Sequence, residues 1–124
     1  MSRTLRILFV DDEKSLQELL RTELPRMGHE VTVCPDGRTA LKTLEHGSFD
    51  VAILDLRMPE MNGFEAARVL RETMPQIPIL MFTSHDSPAV ESKAASVGIR
   101  AVFSKYAGIT ALVAQASALL SLSR

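Results

Sequence analysis

The chain is predicted to fold as an α/β sandwich, a five-stranded parallel sheet with helices on both faces, and three observations carry that expectation. First, short unbroken apolar runs recur along it: Ile7-Leu8-Phe9-Val10, Val51-Ala52-Ile53-Leu54, Ile79-Leu80-Met81-Phe82 and Ala101-Val102-Phe103. Such runs suit strands buried on both faces. Second, segments with apolar residues at helical spacing lie between the runs, so strand and helix alternate. Right-handed crossovers then make the strands parallel. Third, the runs end on groups able to react or bind ions: Asp11-Asp12-Glu13, Asp55, Thr83 and Ser104-Lys105. Ligands of open α/β sheets sit outside the carboxyl ends of the strands. Four runs therefore deliver chemistry to one edge.

The elements follow in order. After the first strand and its acidic triplet, Leu16, Leu19, Leu20, Leu24 and Met27 recur at helical spacing, with Pro25 disturbing the last turn. Val31 and Val33 make a short second strand, expected at the sheet edge. Gly37 to His46 reads as the second helix, with Ala40, Leu41 and Leu44 inward. The run from Val51 to Leu54 is the third strand. Asn62 with Glu65 three residues on matches a reciprocal helix cap. The helix it opens sets Phe64, Ala67, Leu70 and Met74 on one face and ends near Pro75. After the fourth strand, Ser87-Pro88 pairs an N-cap with proline at the first helical position, and the fourth helix ends before Gly98. The fifth strand is followed by a last helix from about Ile109 to Leu122. The expected strand order is 2-1-3-4-5, the flavodoxin-like arrangement.

With 124 residues, 46% hydrophobic and 23% charged, the chain is expected to be one globular domain over residues 1–124. A net charge of −1 argues against nucleic-acid binding through a broad basic face. The lone Cys34 excludes an internal disulfide and any cysteine-based zinc site, and it is expected to pack as a small apolar residue after the second strand. The N-terminal stretch from Met1 to Arg6 precedes too few apolar residues for a signal peptide or a membrane span. A cytoplasmic protein is therefore expected.

Asp11, Asp12 and Asp55 are hard oxygen ligands with no His or Cys beside them, and Mg²⁺ is the ion such a set suits. Taken alone, Asp11-Asp12-Glu13 could equally cap the first helix, where negative charge is favourable. Asp55 and Lys105 at the same edge favour the ion site. A carboxylate such as Asp55 can act as a nucleophile towards phosphorus. Lys105 and the Thr83 hydroxyl are then placed to hold phosphoryl oxygens.

On these residues the chain resembles a response-regulator receiver domain of the chemotaxis-receiver type, over essentially its whole length. The matching segments are VDDEK (Val10 to Lys14), DLRMPEMNG (Asp55 to Gly63), Thr83-Ser84 and the stretch from Gly98 to Lys105. The second is highly specific, whereas a double Asp alone is weak. The resemblance implies that Asp55 accepts a phosphoryl group from a phosphohistidine on a sensor histidine kinase or phosphotransfer protein. It implies Mg²⁺ held by Asp55, by Asp12 directly, by Asp11 largely through water and by the Arg57 carbonyl. Thr83 and Lys105 would bind the phosphoryl oxygens, and Met58-Pro59 to Gly63 would shape the loop before the third helix. Such a domain is a switch acting on a downstream target rather than a classical enzyme.

Two positions depart from the family pattern. Receivers usually carry Phe or Tyr three residues before the lysine; here Val102 stands there, and Phe103 should point to the opposite sheet face. The residue after the lysine, commonly proline, is Tyr106, which reads most simply as an exposed loop aromatic. Phosphorylation should survive these changes while signal output uses other parts. Arg57 and His85, two residues after Asp55 and Thr83, either tune the phosphoryl lifetime or are solvated side chains. His29 and His46 are expected on loop surfaces, and the methionines as core filler and loop contacts.

The last helix, from Ile109 to Leu122, has no charged residue. Leu112, Ala116 and Leu119, with Leu120 alongside, are expected on the sheet, leaving Val113 outward among Ala and Ser. Surface helices normally carry charge on the outer face. The face of the fourth helix, fifth strand and fifth helix is therefore expected to bind a partner, most simply a second copy. A monomeric, mildly apolar surface or a helix cut from a longer chain is the other reading.

Three rival functions share parts of this pattern. A dehalogenase-like phosphatase needs a second Asp two residues after the nucleophile, where Arg57 stands. A flavin carrier of the same topology needs a first loop that cradles phosphate, and Asp11-Asp12-Glu13 repels anions. A receiver-like scaffold that acts without phosphorylation is the alternative that Val102 keeps open.

Overall fold

A computed structural model describes residues 4–122; Met1 to Arg3, the start of the N-terminal stretch that precedes the first apolar run, lie outside them. The elements are β1 (Arg6–Val10), α1 (Lys14–Arg26), β2 (Glu30–Cys34), α2 (Gly37–Leu44), β3 (Val51–Leu54), α3 (Gly63–Thr73), β4 (Ile79–Thr83), α4 (Pro88–Ser96), β5 (Ala101–Ser104) and α5 (Ile109–Leu122), with a 3₁₀ turn over Lys105–Ala107. The sheet is parallel throughout in the order β2-β1-β3-β4-β5, as the sequence predicts. Among the described residues no helix is long and apolar enough to cross a membrane.

Alternation along each strand builds two cores. Leu8, Val10, Ala52, Leu54, Ile79 and Met81 face α2, α3 and α4 and pack with Ala40, Leu44, Ala66, Ala67, Leu70 and Ala94. Ile7, Phe9, Val51, Ile53, Leu80 and Phe82 face α1 and α5, where the Phe9 and Phe82 rings meet edge to face at 5.9 Å. Val102 packs against the first core and Phe103 against the second, the opposite facing that strand geometry demands.

The caps act as expected. Asn62 Oδ1 accepts from Glu65 N while Asn62 N donates to Glu65 Oε1, and Ser87 Oγ accepts from Val90 N with Pro88 at the first turn. Pro25 lies inside α1, which runs one residue past it.

Four expectations change. Leu19 is exposed rather than part of the buried stripe of α1, which consists of Leu20 and Leu24 with Leu16 and Met27 at its margin. On α3 the small Ala66 is buried beside Ala67, while Phe64 and Met74 are only partly covered. His29 is not a surface residue: it is buried, and its Nδ1 accepts a 3.0 Å hydrogen bond from Leu5 N. That bond satisfies a main-chain donor just ahead of β1, which explains why a polar ring is tolerated there.

The fourth change concerns α5. Val113 is 7% exposed and packs in the second core with Leu112, Ala116 and Leu120. Leu119 is only partly buried. The outward residues are Thr110, Ala111, Ala114, Gln115, Ala118 and Ser121. Val113→Glu is therefore a core substitution, expected to cost more than about 3 kcal/mol by burying an unpaired charge. Ala114→Glu should stay within about 0.5 kcal/mol of the parent; urea unfolding of both variants checks the assignment.

Candidate functional site

The strand ends are in register, which brings the chemistry together. Val10 pairs with Leu54, Leu54 with Met81, and Thr83 with Ser104. Just beyond, Asp11 N donates to Cys34 O at 3.0 Å and Asp55 N to Val10 O at 2.9 Å, so each Asp leaves the sheet on a fixed backbone. Carboxylate oxygens of Asp11, Asp12 and Asp55 lie within 4.8 Å of one another. Lys105 reaches into the same space from the 3₁₀ turn, its Nζ at 2.8 Å from Asp11 Oδ2, 3.4 Å from Asp55 Oδ2 and 3.7 Å from Glu13 Oε2.

The two inner carboxylates are held differently. Asp11 is wholly buried: Oδ1 accepts from Glu13 N at 2.9 Å, whereas Oδ2 has Lys105 as an ion-pair partner but no well-directed hydrogen bond. Asp55 Oδ1 accepts from Leu56 N at 2.8 Å, leaving Oδ2 turned towards Lys105. Burial pushes both carboxyls above the usual carboxylate range, the Asp11 charge pushes Asp55 further, and Lys105 opposes the rise in each. For Lys105 burial works against the charge, but Asp11 and Asp55 together outweigh it and the amine stays protonated more tightly than usual.

Asp11, Glu13 and Asp55 approach one ammonium and Asp12 lies with Asp11 and Asp55, so the site holds four carboxylates and one ammonium, a formal excess of three negative charges. Low-dielectric surroundings make such an excess costly unless a cation joins it. An all-oxygen donor set with a buried, poorly bonded Asp11 Oδ2 fits a small hard divalent ion. Asp12 is the exposed member and gives that ion a route to solvent.

Thr83 ends β4, between the strands that carry Asp55 and Lys105. It is buried, and its Oγ1 accepts from His85 N at 3.1 Å. The Arg57 and His85 side chains are exposed. Tyr106 is 87% exposed, as read from the sequence. A groove of about 530 Å³ lined by Arg68, Arg71, Glu72 and Gly98 runs between α3 and α4, but none of Asp11, Asp12, Glu13, Asp55 or Lys105 lines it.

Two contributors go beyond the roles read from the sequence. Glu13 appears there only as part of an acidic triplet, yet its carboxylate is turned to Lys105. Gly63 lies so close to the Asp55 carbonyl, the Leu56 Cα and the Met81 side chain that a Cβ would meet all three, so the start of α3 directly backs Asp55. The signals were a third acid after the Asp pair and a glycine at the first turn of a helix.

A family model described as "response regulator receiver domain" matches residues 7–117. The chain belongs to the response regulator receiver domain family. Response regulator MprA of Mycolicibacterium vanbaalenii is 36% identical over 115 residues, covering 93% of this chain and 50% of that protein. The alkaline phosphatase synthesis transcriptional regulatory protein PhoP of Bacillus subtilis is 41% identical over 81 residues, covering 65% of this chain and 34% of its own. This receiver domain spans about half the length of the MprA relatives it matches. Among solved structures, chemotaxis protein CheY4 of Vibrio cholerae is 34% identical with a TM-score of 0.79, covering 83% of this chain and 88% of that one. A LuxR-family two-component response regulator from Aurantimonas is 30% identical with a TM-score of 0.87, covering 96% and 86%. The Francisella response regulator 1452 receiver domain, at 23% identity and a TM-score of 0.87 over 98% of this chain and 100% of that one, shares the fold. As a receiver domain, the protein is placed in two-component signalling.

Proposed function

We propose that this receiver domain is a phosphoaccepting switch with Asp55 as acceptor. The observation that carries the reading is the placing of Asp55 Oδ2 3.4 Å from Lys105 and within the carboxylate group of Asp11 and Asp12. A donor phosphohistidine, on a sensor kinase or phosphotransfer protein, presents its phosphorus to Asp55. The carboxylate oxygen forms a P–O bond as the P–N bond breaks, and the departing imidazole keeps the electron pair and takes up a proton. Lys105 pairs with a phosphoryl oxygen, and Thr83 donates its hydroxyl to another after giving up its present geometry. Asp11, Asp12, Asp55 and the Arg57 carbonyl would hold Mg²⁺, which supplies positive charge against the incoming phosphoryl group. Arg57 and His85, two residues after Asp55 and Thr83 and both exposed, would in this reading tune the phosphoryl lifetime.

Incubation with acetyl phosphate or beryllofluoride, with and without Mg²⁺, tests the reading by mass and by ligand affinity. A gain of one phosphoryl group only with Mg²⁺, lost in Asp55→Asn, is the expected outcome; equal labelling of Asp55→Asn sinks it. Asp12→Ala should lose Mg²⁺ binding while keeping its fold, because Asp12 is the exposed ligand. The alternative, a scaffold acting without phosphorylation, predicts no labelling at all.

The output face is proposed to be α4, β5 and α5, with a second copy as the simplest partner. Val102 has no ring to bury as Thr83 moves, so the shift between states should be modest rather than complete. Sedimentation with and without beryllofluoride checks self-association, with Ala114→Glu as the disrupting variant. A monomer in both states at high concentration removes the second-copy reading.

A further inference from the structure

Glu13 occupies the N-cap of α1 yet makes no side-chain cap to that helix. A residue in that place ordinarily turns its side chain back to a free backbone N–H of the first turn, worth about 0.5–2 kcal/mol. Glu13 does something else. Its Oε1 accepts from Ser15 Oγ at 3.1 Å, which orients the carboxylate, and its Oε2 lies 3.7 Å from Lys105 Nζ. Lys105 is mostly covered, at 16% side-chain exposure, whereas Glu13 is at 57%. The pair therefore sits at the mouth of the pocket, with Asp11 and Asp55 on the inner side of the ammonium.

We propose that Glu13 is a positioning residue for Lys105, holding its ammonium at the pocket mouth in competition with the incoming phosphoryl group. The inference rests on the phosphoacceptor reading for its functional consequence, but not for the contact itself. Of the four carboxylates, Asp11, Asp12 and Asp55 share the cluster suited to a divalent ion, and Glu13 is outside it. An ion in that cluster offsets the charge of the other three and loosens their hold on Lys105. Glu13 keeps its charge, so it remains the group from which a phosphoryl oxygen must draw the lysine. A long Glu side chain reaches; a shorter Asp would retain the charge, lose the reach and cap the helix instead.

The test compares Glu13→Gln and Glu13→Asp with wild type, alone and in a Lys105→Ala background. With Mg²⁺ present, both variants should bind beryllofluoride about two- to fivefold more tightly, the range expected of a partly exposed ion pair. Neither should change that affinity once Lys105 is gone, as a coupled pair requires. In metal-free protein, acetic anhydride should acylate Lys105 about two- to fivefold faster in both variants, read by mass spectrometry on the peptide. The same tightening in the Lys105→Ala background would show simple charge repulsion and overturn the proposal. So would a Glu13→Asp variant indistinguishable from wild type in both readouts, since charge without reach would then suffice. If wild type neither binds beryllofluoride nor takes up phosphate, the phosphoacceptor reading fails, while the acylation comparison still decides whether Glu13 holds Lys105.

Discussion

In magnesium-free buffer at neutral pH, Lys105→Met is expected to lower the unfolding free energy by roughly 2–3 kcal/mol. Breaking a fully enclosed ion pair costs about 3–5 kcal/mol, and water at the pocket mouth reduces the figure here. The loss arises because Asp11 is wholly buried and its Oδ2 has no partner but that ammonium. The pH dependence has a defined sign. Asp11 and Asp55 carry pKa values raised above 3.8, first by burial. A carboxyl that binds its proton more tightly when folded makes folding less favourable as pH rises from its unfolded value through the folded one. Lys105, raised above 10.5 because its carboxylate partners outweigh burial, contributes stability that is complete below 10.5 and is lost as pH rises through its folded value. Without Lys105 the two carboxyls rise further, so the deficit against wild type should shrink as pH falls from 7 towards 5. Mg²⁺ should shrink it too, by supplying the missing cation. Urea unfolding at several pH values, with and without Mg²⁺, reads both effects. A deficit independent of pH and metal would mean that lost packing of the lysine stem, not charge, was responsible.

Gly63→Ala is expected to cost about 1–3 kcal/mol, the range for forcing one extra group into a packed interior, and to weaken Mg²⁺ binding about 10- to 100-fold, as loss of a ligand's supporting partner does. The added Cβ would meet the Asp55 carbonyl, with Met81 Cε at 2.9 Å and Leu56 Cα at 3.0 Å. Two of those neighbours are backbone and cannot rotate away. The chain must instead move where Gly63 N donates to Leu56 O at 2.8 Å, which displaces the segment carrying Asp55 and Arg57. Calorimetric Mg²⁺ titration beside urea unfolding separates the effects. Wild-type values in both would show that the loop absorbs the methyl group.

What could be read from the sequence follows from where its signals are local. Unbroken apolar runs ending in Asp, Thr and Lys marked the strands and the edge on which the site lies. Asn62 with Glu65 and Ser87 with Pro88 announced helix starts because a cap is a short-range contact. The inward face of α5 was not legible in the same way. With no charged residue from Ile109 to Leu122, nothing set the phase of the helix, and Val113 was placed outside although it lies in the core. His29 was missed for another reason: its partner, the Leu5 amide, is remote in sequence, and a lone polar ring carries no mark of such a bond. The direction of Glu13 was hidden by a rule that ordinarily holds, that acids at a helix start serve the helix.

The chain has one tyrosine and no tryptophan, and that tyrosine stands in open solvent immediately after Lys105. Its amide donates to Ser104 Oγ at 3.1 Å, and the turn closes through Gly108 N to Lys105 O at 3.2 Å. Lys105 and Tyr106 share one peptide unit, so the ring moves with the backbone of this turn, whereas a swing of the ammonium on its flexible stem leaves the ring in place. The chain therefore carries one phenolic emitter, and its ultraviolet emission offers a label-free report on the backbone of the turn that bears Lys105.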